Sequence, residues 1–245
     1  MDIPPARLHP ALELDGIARR FGARWVLRGA TLRVDAGEIV ALTGRNGSGK
    51  TTLLRIAGTL LRPTRGEARV YGYDVIENSD DVRSVVGFFG HSSGLYHDLT
   101  AAENLRFAAR MLGAPDDARA VAESLEFVGL GREANERVRH FSSGMQRRLA
   151  LARVRLHRPR LLLMDEPFNS IDAEGVDLVN AVLAETRDTG GAAVVVTHEL
   201  ARGERSFTRI VRLEDGRIAR PFGPQAVEPE TRVIPGPWVT ERRGL

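Results

Sequence analysis

The stretch that decides the fold is Gly44-Arg45-Asn46-Gly47-Ser48-Gly49-Lys50-Thr51. It matches the pattern of a phosphate-binding P-loop, in which a glycine and four further residues precede Gly-Lys-Thr. An apolar run at residues 39–43 precedes the loop and a helical pattern at 51–61 follows it, which is the context that phosphate binding requires. The alternative is an ordinary glycine-rich turn between a strand and a helix, and both the context and the lysine disfavour it.

The residues of this loop have distinct expected roles. Glycines let backbone N–H groups wrap around phosphates, and the N-terminus of the following helix adds the positive end of its dipole. Lys50 is expected to bridge the β- and γ-phosphates of a nucleotide, and the hydroxyl of Thr51 to bind Mg²⁺. The full nucleotide-binding set is predicted to be Gly44, Arg45, Asn46, Gly47, Ser48, Gly49, Lys50, Thr51 and Thr52.

A second motif lies downstream at residues 161–166, Leu-Leu-Leu-Met-Asp-Glu, where an apolar strand ends in two carboxylates. This is the Walker B form. We expect Asp165 to lie on a strand beside the P-loop strand and to hold Mg²⁺, and Glu166 to act as the general base that polarises the attacking water. A strand that happens to end in a solvated acidic turn is the alternative.

Apolar runs of strand length alternate with longer helical patterns, which indicates βαβ units and a mainly parallel sheet. The core strands are predicted at 39–43, 85–89, 161–165, 192–197 and 210–213. Short glycine-punctuated segments at 12–21, 26–34 and 67–71 predict a small antiparallel sheet before and beside this core. Helical patterns alone fill residues 92–160, and Thr100 with Glu103 predicts a capping box at the start of one helix.

Composition excludes several classes of protein. The chain has 245 residues and 42% apolar content, no cysteine, and a net charge of +3 from 35 basic and 32 acidic residues. A core of useful size is therefore expected, and a disulfide framework or a thiolate zinc site is not. The mixed charge does not form a basic patch, so no nucleic-acid partner is expected. Without a long apolar run or a secretory signal, we expect a cytoplasmic protein.

Residues 141–146, Phe-Ser-Ser-Gly-Met-Gln, lie shortly before the Walker B strand and open a helical pattern. They resemble the signature of the ABC ATPase family, usually Leu-Ser-Gly-Gly-Gln. The resemblance implies that Ser142 and Gly144 contact the γ-phosphate of an ATP held by a second subunit. An ordinary serine-capped helix is the alternative. The positions that depart from the usual letters are Phe141, Ser143 and Met145.

Weaker matches follow in the same family order. Residues 169–172, Asn-Ser-Ile-Asp, resemble the D-loop through which subunits communicate, and His198 resembles the switch histidine that contacts the γ-phosphate. Phe21 occupies the place of the aromatic that stacks on adenine, with Trp25 as the alternative. Each match is weak alone, because a histidine at a strand end or an aromatic in a strand is usually structural.

One position departs from the family pattern. ABC domains usually carry a glutamine after the strand at 85–89, where it senses Mg²⁺ and touches the membrane partner, and this chain has His91. We assign His91 to the catalytic set, because a neutral imidazole can accept a hydrogen bond from water or approach a cation. A bystander histidine is the alternative. The surrounding sequence at 88–105 resembles the ATPase subunit of haem exporters in cytochrome c maturation.

The resemblance implies an α/β fold with a P-loop NTPase (RecA-like) core, a mainly parallel sheet, an N-terminal antiparallel β-subdomain and an inserted α-helical subdomain. The nucleotide-binding domain is expected at residues 8–220, with its helical subdomain at about 92–158. A proline-rich tail, extended or disordered, is expected at 221–245.

The activity implied is ATP hydrolysis with Mg²⁺ by two subunits that close head to tail around two ATP, most simply as a homodimer. An integral membrane subunit would be the partner, and the chain would lie peripherally on the inner face of the cell membrane. The alternatives are an exporter of other cargo and a soluble ABC ATPase acting on DNA or ribosomes. The short interval between His91 and Ser142 disfavours the latter, because it leaves no room for a long coiled coil. A nucleotide-binding regulator without turnover is disfavoured by the intact Asp165–Glu166 pair.

A partner groove is predicted between the P-loop core and the helical subdomain. It would be lined by His91, Leu95, Tyr96 and Leu99, which mix apolar and aromatic side chains where a solvated loop should be polar. The alternative is that these side chains fill the seam between the two subdomains.

Lys50→Arg tests whether the lysine is required by shape and not only by charge. Lys50 is the only lysine among the 35 basic residues, and the planar guanidinium fork does not fit a loop shaped for a compact ammonium. We expect the variant to lose nucleotide binding, as measured by titration with a fluorescent ATP analogue. An affinity within about threefold of wild type, under ~1 kcal/mol, would show instead that the lysine is an accident of composition.

Overall fold

The computed structural model describes residues 9–90, 94–113, 116–169 and 171–219. The strands are β1 (Leu12–Phe21), β2 (Arg24–Val34), β3 (Ile39–Thr43), β4 (Arg65–Val70), β5 (Tyr73–Asp74), β6 (Val86–Phe89), β7 (Leu161–Asp165), β8 (Ala192–Val196), β9 (Arg209–Glu214) and β10 (Arg217–Ala219). The helices are α1 (Lys50–Ala57), α2 (Ser79–Val85), α3 (Ala101–Leu112), α4 (Ala118–Phe127), α5 (Ser143–His157), α6 (Ala173–Asp188) and α7 (Leu200–Gly203), with a 3-10 turn at Val138–His140.

Two sheets form the core, as the sequence predicts. The first is antiparallel with strand order β2-β1-β4-β5, and the second has the order β10-β9-β3-β8-β7-β6. Strands β9, β3, β8, β7 and β6 run parallel, and β10 is an antiparallel edge strand. Strands β7 and β8 are buried at every position, which explains why they appear in the sequence as unbroken apolar runs.

The expectation that the Asp165 strand lies beside the P-loop strand is wrong. Strand β8 pairs with β3 on one side and with β7 on the other, so it separates the two motifs. The chain reaches the far edge of the sheet at β6 and returns inward through β7, and β8 then fills the remaining place next to β3. Helix α1 packs across both β7 and β8 and so bridges the gap.

Helix α1 is shorter than its apolar pattern predicts. It ends at Ala57 because the N–H of Gly58 closes the last turn on the carbonyl of Leu54, and Thr59 then takes a left-handed backbone with φ 61°. The apolar pattern continues to Leu60 for another reason: this side chain is 58% exposed and lines a groove described below.

Three apolar clusters hold the elements together. One lies between the antiparallel sheet, α1 and one face of the parallel sheet, and a second covers the opposite face beneath α5 and α6. The third is formed mainly by α3, α4 and α5 with the loops that join them, and includes Leu105, Val121 and Leu149. The inserted helices therefore have a core of their own. In the described ranges, no helix combines the length and the apolar character needed to cross a membrane.

The capping box at α3 is present as predicted. The hydroxyl of Thr100 accepts a hydrogen bond from the N–H of Glu103 at 3.2 Å, and the N–H of Thr100 donates to the Glu103 carboxylate at 2.8 Å. The second helix of this group, α4, is capped by Asp117, whose carboxylate accepts from Ala120 N–H at 3.0 Å. The N-termini of α3 and α4 are thus both fixed by local hydrogen bonds.

Thr100→Ala removes one partner of the α3 capping box. We expect the free energy of unfolding to fall by about 1 kcal/mol, because the N–H of Glu103 loses its acceptor. Thr100→Ser keeps the hydroxyl and serves as the matched control, with a loss less than half as large. Urea denaturation followed by circular dichroism measures both. Equal stability of the alanine and serine variants would show that the box contributes nothing.

Candidate functional site

The P-loop, the two Walker B carboxylates and His198 lie at one edge of the parallel sheet. The P-loop follows β3, Asp165 and Glu166 end β7, and Thr197 with His198 follows β8. These are the carboxyl ends of three parallel strands, which is where ligands bind in open α/β sheets. The topology thus brings together motifs that are far apart in the sequence.

Two glycines of the P-loop are required by geometry. Gly44 has φ 143°, and a side-chain Cβ there would lie 2.2 Å from the carbonyl oxygen of Leu213. Gly49 has φ 105°, and its Cβ would lie 2.8 Å from the side chain of Leu27 on β2. No other residue type fits at either position without moving the backbone. The loop is therefore held tightly between β9 and β2.

The ammonium of Lys50 is buried inside this loop, with only 7% of the residue exposed. It donates to the carbonyl oxygens of Gly44 at 2.7 Å and Arg45 at 3.2 Å. Burial lowers the pKa of Lys50, and the nearby carboxylates of Glu166 and Asp165 oppose that shift. The lysine and the two acids therefore share one electrostatic environment although β8 separates their strands.

The loop is built to receive an anion. Helix α1 starts at Lys50 with neither a side-chain cap nor an acidic residue in its first turn, so among the described residues nothing competes for its free N–H groups. The Ser48 hydroxyl is buried and has no hydrogen-bond partner among the described residues. Thr51 and Thr52 lie in the first turn and are partly exposed. The uncapped start of α1 and the unpartnered Ser48 hydroxyl thus leave hydrogen-bond donors at this loop available to an anion.

Glu166 has an unusual backbone for a non-glycine residue, with φ 52°. Its N–H donates to the carbonyl of Val196 on β8 at 2.9 Å. One carboxylate oxygen lies 3.3 Å from Nε2 of His198, and the other is buried without a partner among the described residues. A free, buried carboxylate oxygen beside the P-loop is the position required for a base that takes a proton from water.

His198 and Asp165 complete this edge. His198 is 45% exposed on its side chain, so it touches Glu166 while still facing the space above the sheet. The preceding Thr197 is fully buried, and its hydroxyl accepts from Glu199 N–H at 2.9 Å, which fixes the turn that carries the histidine. Asp165 is 7% exposed at the end of β7.

Ser142 caps α5, and its hydroxyl accepts from the N–H of Met145 at 3.2 Å. Ser142 is exposed, and Gly144 is partly exposed in the first turn of the helix. A Cβ at Gly144 would meet only the Ser142 hydroxyl, at 3.9 Å, so the space in front of this helix end is open. The helix end thus faces outward and can meet a group on another molecule.

The segment that resembles the D-loop contacts both the inserted helices, through α5, and the turn at the end of β7. Asp172 caps α6 by accepting from Gly175 N–H at 2.8 Å, and it also pairs with Arg148 of α5 at 3.1 Å. Asn169 N–H donates to the carbonyl of Glu166 at 3.3 Å. Ser170 lies outside the described residues, as does His91.

The aromatic candidates lie at the tip of the β1–β2 hairpin. Phe21 is 46% exposed, and the guanidinium of Arg19 lies 4.7 Å from its ring centre. Trp25 is only partly exposed, with Arg20 and Arg65 each 5.7 Å from its ring. Since strand β2 packs against Gly49, this hairpin lies next to the P-loop, and Phe21 is the more accessible of the two rings.

A groove of about 400 Å³ lies between the parallel sheet and the inserted helices. Tyr96 lines it as predicted and packs edge-on against Phe107, with ring centres 4.8 Å apart. Leu95, in contrast, is 9% exposed and belongs to the core of the inserted helices, and Leu99 does not line the groove either, so the assignment of both leucines to the groove is wrong. Tyr96 N–H is held by Asn104 at 2.8 Å, which turns the tyrosine outward and Leu95 inward.

Sequence analysis missed most of this groove. Phe107 and Met111 lie one turn apart on α3 and are 40% and 69% exposed. The sequence signal for them is a pair of large apolar residues, one turn apart, on the otherwise polar face of this helix. His157 also lines the groove. Burial lowers the pKa of His157, and its hydrogen bond to the carbonyl of Ser84 at 3.1 Å opposes that shift.

Comparison with known proteins agrees with this arrangement. The profile described as "ABC transporter" matches residues 27–169. The cytochrome c biogenesis ATP-binding export protein CcmA 2 of Cupriavidus metallidurans is 39% identical over 188 residues, covering 77% of this chain and 89% of that protein. The lipoprotein-releasing system ATP-binding protein LolD of Anaeromyxobacter dehalogenans is 40% identical over 222 residues, covering 85% and 92%.

Solved structures agree as well. A dimeric ATP-binding cassette in a post-hydrolysis state, bound to ADP and Pi, matches with a TM-score of 0.77 and 28% identity, over 85% of this chain and 97% of that one. An ATP-binding subunit of an ABC transporter matches with a TM-score of 0.78 and 30% identity, over 85% and 88%. The chain therefore belongs to the ABC transporter family and is an ATPase of that family.

Proposed function

We propose that two copies of this chain close over two ATP molecules and use the cycle of binding and hydrolysis to drive a membrane subunit. The observation that carries the proposal is the carboxylate of Glu166: one oxygen is held by His198, and the other is buried and free at the sheet edge that carries the P-loop. A structural glutamate would have both oxygens paired or solvated.

The proposed substrate contacts follow from the donors. Lys50 would leave the carbonyls of Gly44 and Arg45 for the β- and γ-phosphates, and the loop N–H groups from Gly44 to Thr52 would surround them. The exposed ring of Phe21 would stack on adenine. Ser142 and Gly144 would contact the γ-phosphate held by the other subunit, since they open outward.

Mg²⁺ fits the oxygen donors at this edge. Thr51 is partly exposed in the first turn of α1, and Asp165 is a buried carboxylate at the end of β7, on the sheet edge that carries the P-loop. Hydroxyl, carboxylate and phosphate oxygens are the ligands that Mg²⁺ prefers. When bound, the ion would neutralise charge that develops on the phosphates.

Hydrolysis itself would depend on Glu166 and His198. The free oxygen of Glu166 would accept the proton of the attacking water, and His198 would hold the carboxylate through its other oxygen while reaching toward the γ-phosphate. His91, which takes the place of the family's glutamine, is proposed to accept a hydrogen bond from water or to approach the Mg²⁺ ion.

The membrane partner is proposed to dock in the groove lined by Tyr96, Phe107 and Met111. These three side chains are exposed and line the groove from α3 and the loop before it, and Tyr96 contacts Phe107. A segment of the partner bound in this groove would contact α3, and the two would move together. The chain would thereby be held peripherally at the inner face of the membrane.

The membrane partner is proposed to be the haem-export subunit of cytochrome c biogenesis. Support comes from the sequence at 88–105 and from similarity to export proteins such as CcmA of Bordetella bronchiseptica, 37% identical over 219 residues, covering 89% of this chain and 96% of that protein. Relatives with other printed functions, such as LolD, have similar identity, so the identity of the membrane partner decides between cargoes.

Glu166→Gln tests the catalytic assignment. The amide keeps the shape of the water site but cannot accept the proton, so we expect hydrolysis to fall by at least about 100-fold. With turnover blocked after ATP has bound, gel filtration with Mg-ATP should show a stable dimer. Glu123→Gln, an exposed glutamate of α4 paired with Arg119, is the matched control and should behave as wild type. A Glu166→Gln variant that hydrolyses ATP normally and elutes as wild type would contradict both the base and the closed dimer.

Tyr96→Ser combined with Phe107→Ser tests the docking groove. Both side chains are exposed, so nucleotide affinity and thermal stability should stay near wild type while co-purification with the membrane subunit is lost. Ile76→Ser removes a similarly exposed apolar side chain elsewhere and should keep the partner. Mass spectrometry of the wild-type complex identifies the membrane subunit, and a subunit unrelated to cytochrome c biogenesis would refute the proposed cargo. Retention of the partner by the double variant would refute the groove.

A further inference from the structure

Arg147 reaches from the inserted helices into the nucleotide site. It lies in α5 just after the Ser142 cap, and its Nη2 donates a hydrogen bond to the main-chain carbonyl of Glu166. Its guanidinium lies over the ring of Phe89, the last residue of β6, 5.1 Å from the ring centre. One side chain therefore joins the signature helix, the end of β6 and the Walker B glutamate.

Burying the Arg147 guanidinium at this position is unfavourable for the free energy of folding. Nε of Arg147 is buried and has no hydrogen-bond partner among the described residues. Burial lowers the pKa of Arg147, and the charge of Glu166 only partly opposes the shift. A guanidinium with an unsatisfied buried donor destabilises the fold unless it does something that an apolar residue could not. Packing on Phe89 alone does not account for it.

The backbone conformation of Glu166 indicates the role of Arg147. This residue is held in the left-handed region, at φ 52°, which a residue with a side chain adopts only when its surroundings enforce it. Val196 fixes its N–H at 2.9 Å, and its carbonyl accepts from Arg147 and, at 3.3 Å, from Asn169. Because the main-chain angles of a residue set the direction of its Cα–Cβ bond, these contacts aim the carboxylate.

We propose that Arg147 is a positioning residue for hydrolysis, which holds the strained backbone of Glu166 so that its free carboxylate oxygen points at the attacking water. The same helix presents Ser142 and Gly144 at its N-terminus, so the base is aimed only while the signature helix sits in place against the core. This inference rests on the proposed role of Glu166 as the general base.

The test replaces Arg147 with Met and, separately, with Lys in the full-length chain. Met keeps an apolar stem for Phe89 but has no donor for the Glu166 carbonyl, while Lys restores one donor. Arg155→Met is the matched control, because Arg155 lies on the same helix, stacks on Phe127 at 4.1 Å and pairs with Glu185 at 2.9 Å, away from the nucleotide site. Steady-state ATPase rates, ATP affinity and melting temperatures are measured for each.

We expect Arg147→Met to lower kcat at least tenfold with KM for ATP within threefold of wild type, and Arg147→Lys to recover part of the loss. Arg155→Met should keep both kcat and KM for ATP within twofold of wild type. A kcat within twofold of wild type in Arg147→Met would overturn the inference. So would a joint loss of kcat, affinity and stability that Lys does not restore, which indicates packing only. Glu166→Gln run in parallel separates the two proposals: if it hydrolyses ATP normally, the assigned base is wrong, and with it the premise for Arg147.

Discussion

The buried ammonium of Lys50 is the charge on which the rest of the site depends. A cation that is 7% exposed must be compensated, and two loop carbonyls and the carboxylates at the end of β7 supply that compensation. The loop must therefore close tightly, which only glycines at 44 and 49 permit. The charge of Lys50 and the tight geometry of the loop are thus linked.

The inserted helices have their own core but are tied to the site by arginines of α5. Arg147 contacts the carbonyl of Glu166, and Arg148 pairs with Asp172 at the start of α6. Both arise from the helix that presents Ser142. This helix therefore contacts both Glu166 and the segment that resembles the D-loop.

Local motifs made much of this structure predictable from the sequence. The P-loop, the Thr100 capping box and the fully buried strands β7 and β8 are each encoded in a short run of residues. Their predicted bounds therefore agree with the structure to within a few residues. The strand order could not be predicted in this way. Strand β8 pairs with both β3 and β7, and no short run of sequence specifies that pairing. The burial of Leu95 could not be predicted, because the direction of a loop side chain depends on tertiary contacts such as the hydrogen bond from Tyr96 N–H to Asn104. The contact of Arg147 with Glu166 links α5 to the end of β7, and neither segment's sequence alone predicts it.

The central claim, that each ATP site combines the P-loop of one subunit with the signature of the other, is tested most directly by mixing two inactive variants. Lys50→Ala disables the P-loop, and Gly144→Asp places a carboxylate where the γ-phosphate of the opposite subunit would lie, in space that the fold leaves open. A mixed dimer carries both defects in one site and neither in the other, so equal mixing should restore about a quarter of wild-type ATPase activity if the sites act independently. A mixture as inactive as its two components would contradict the account.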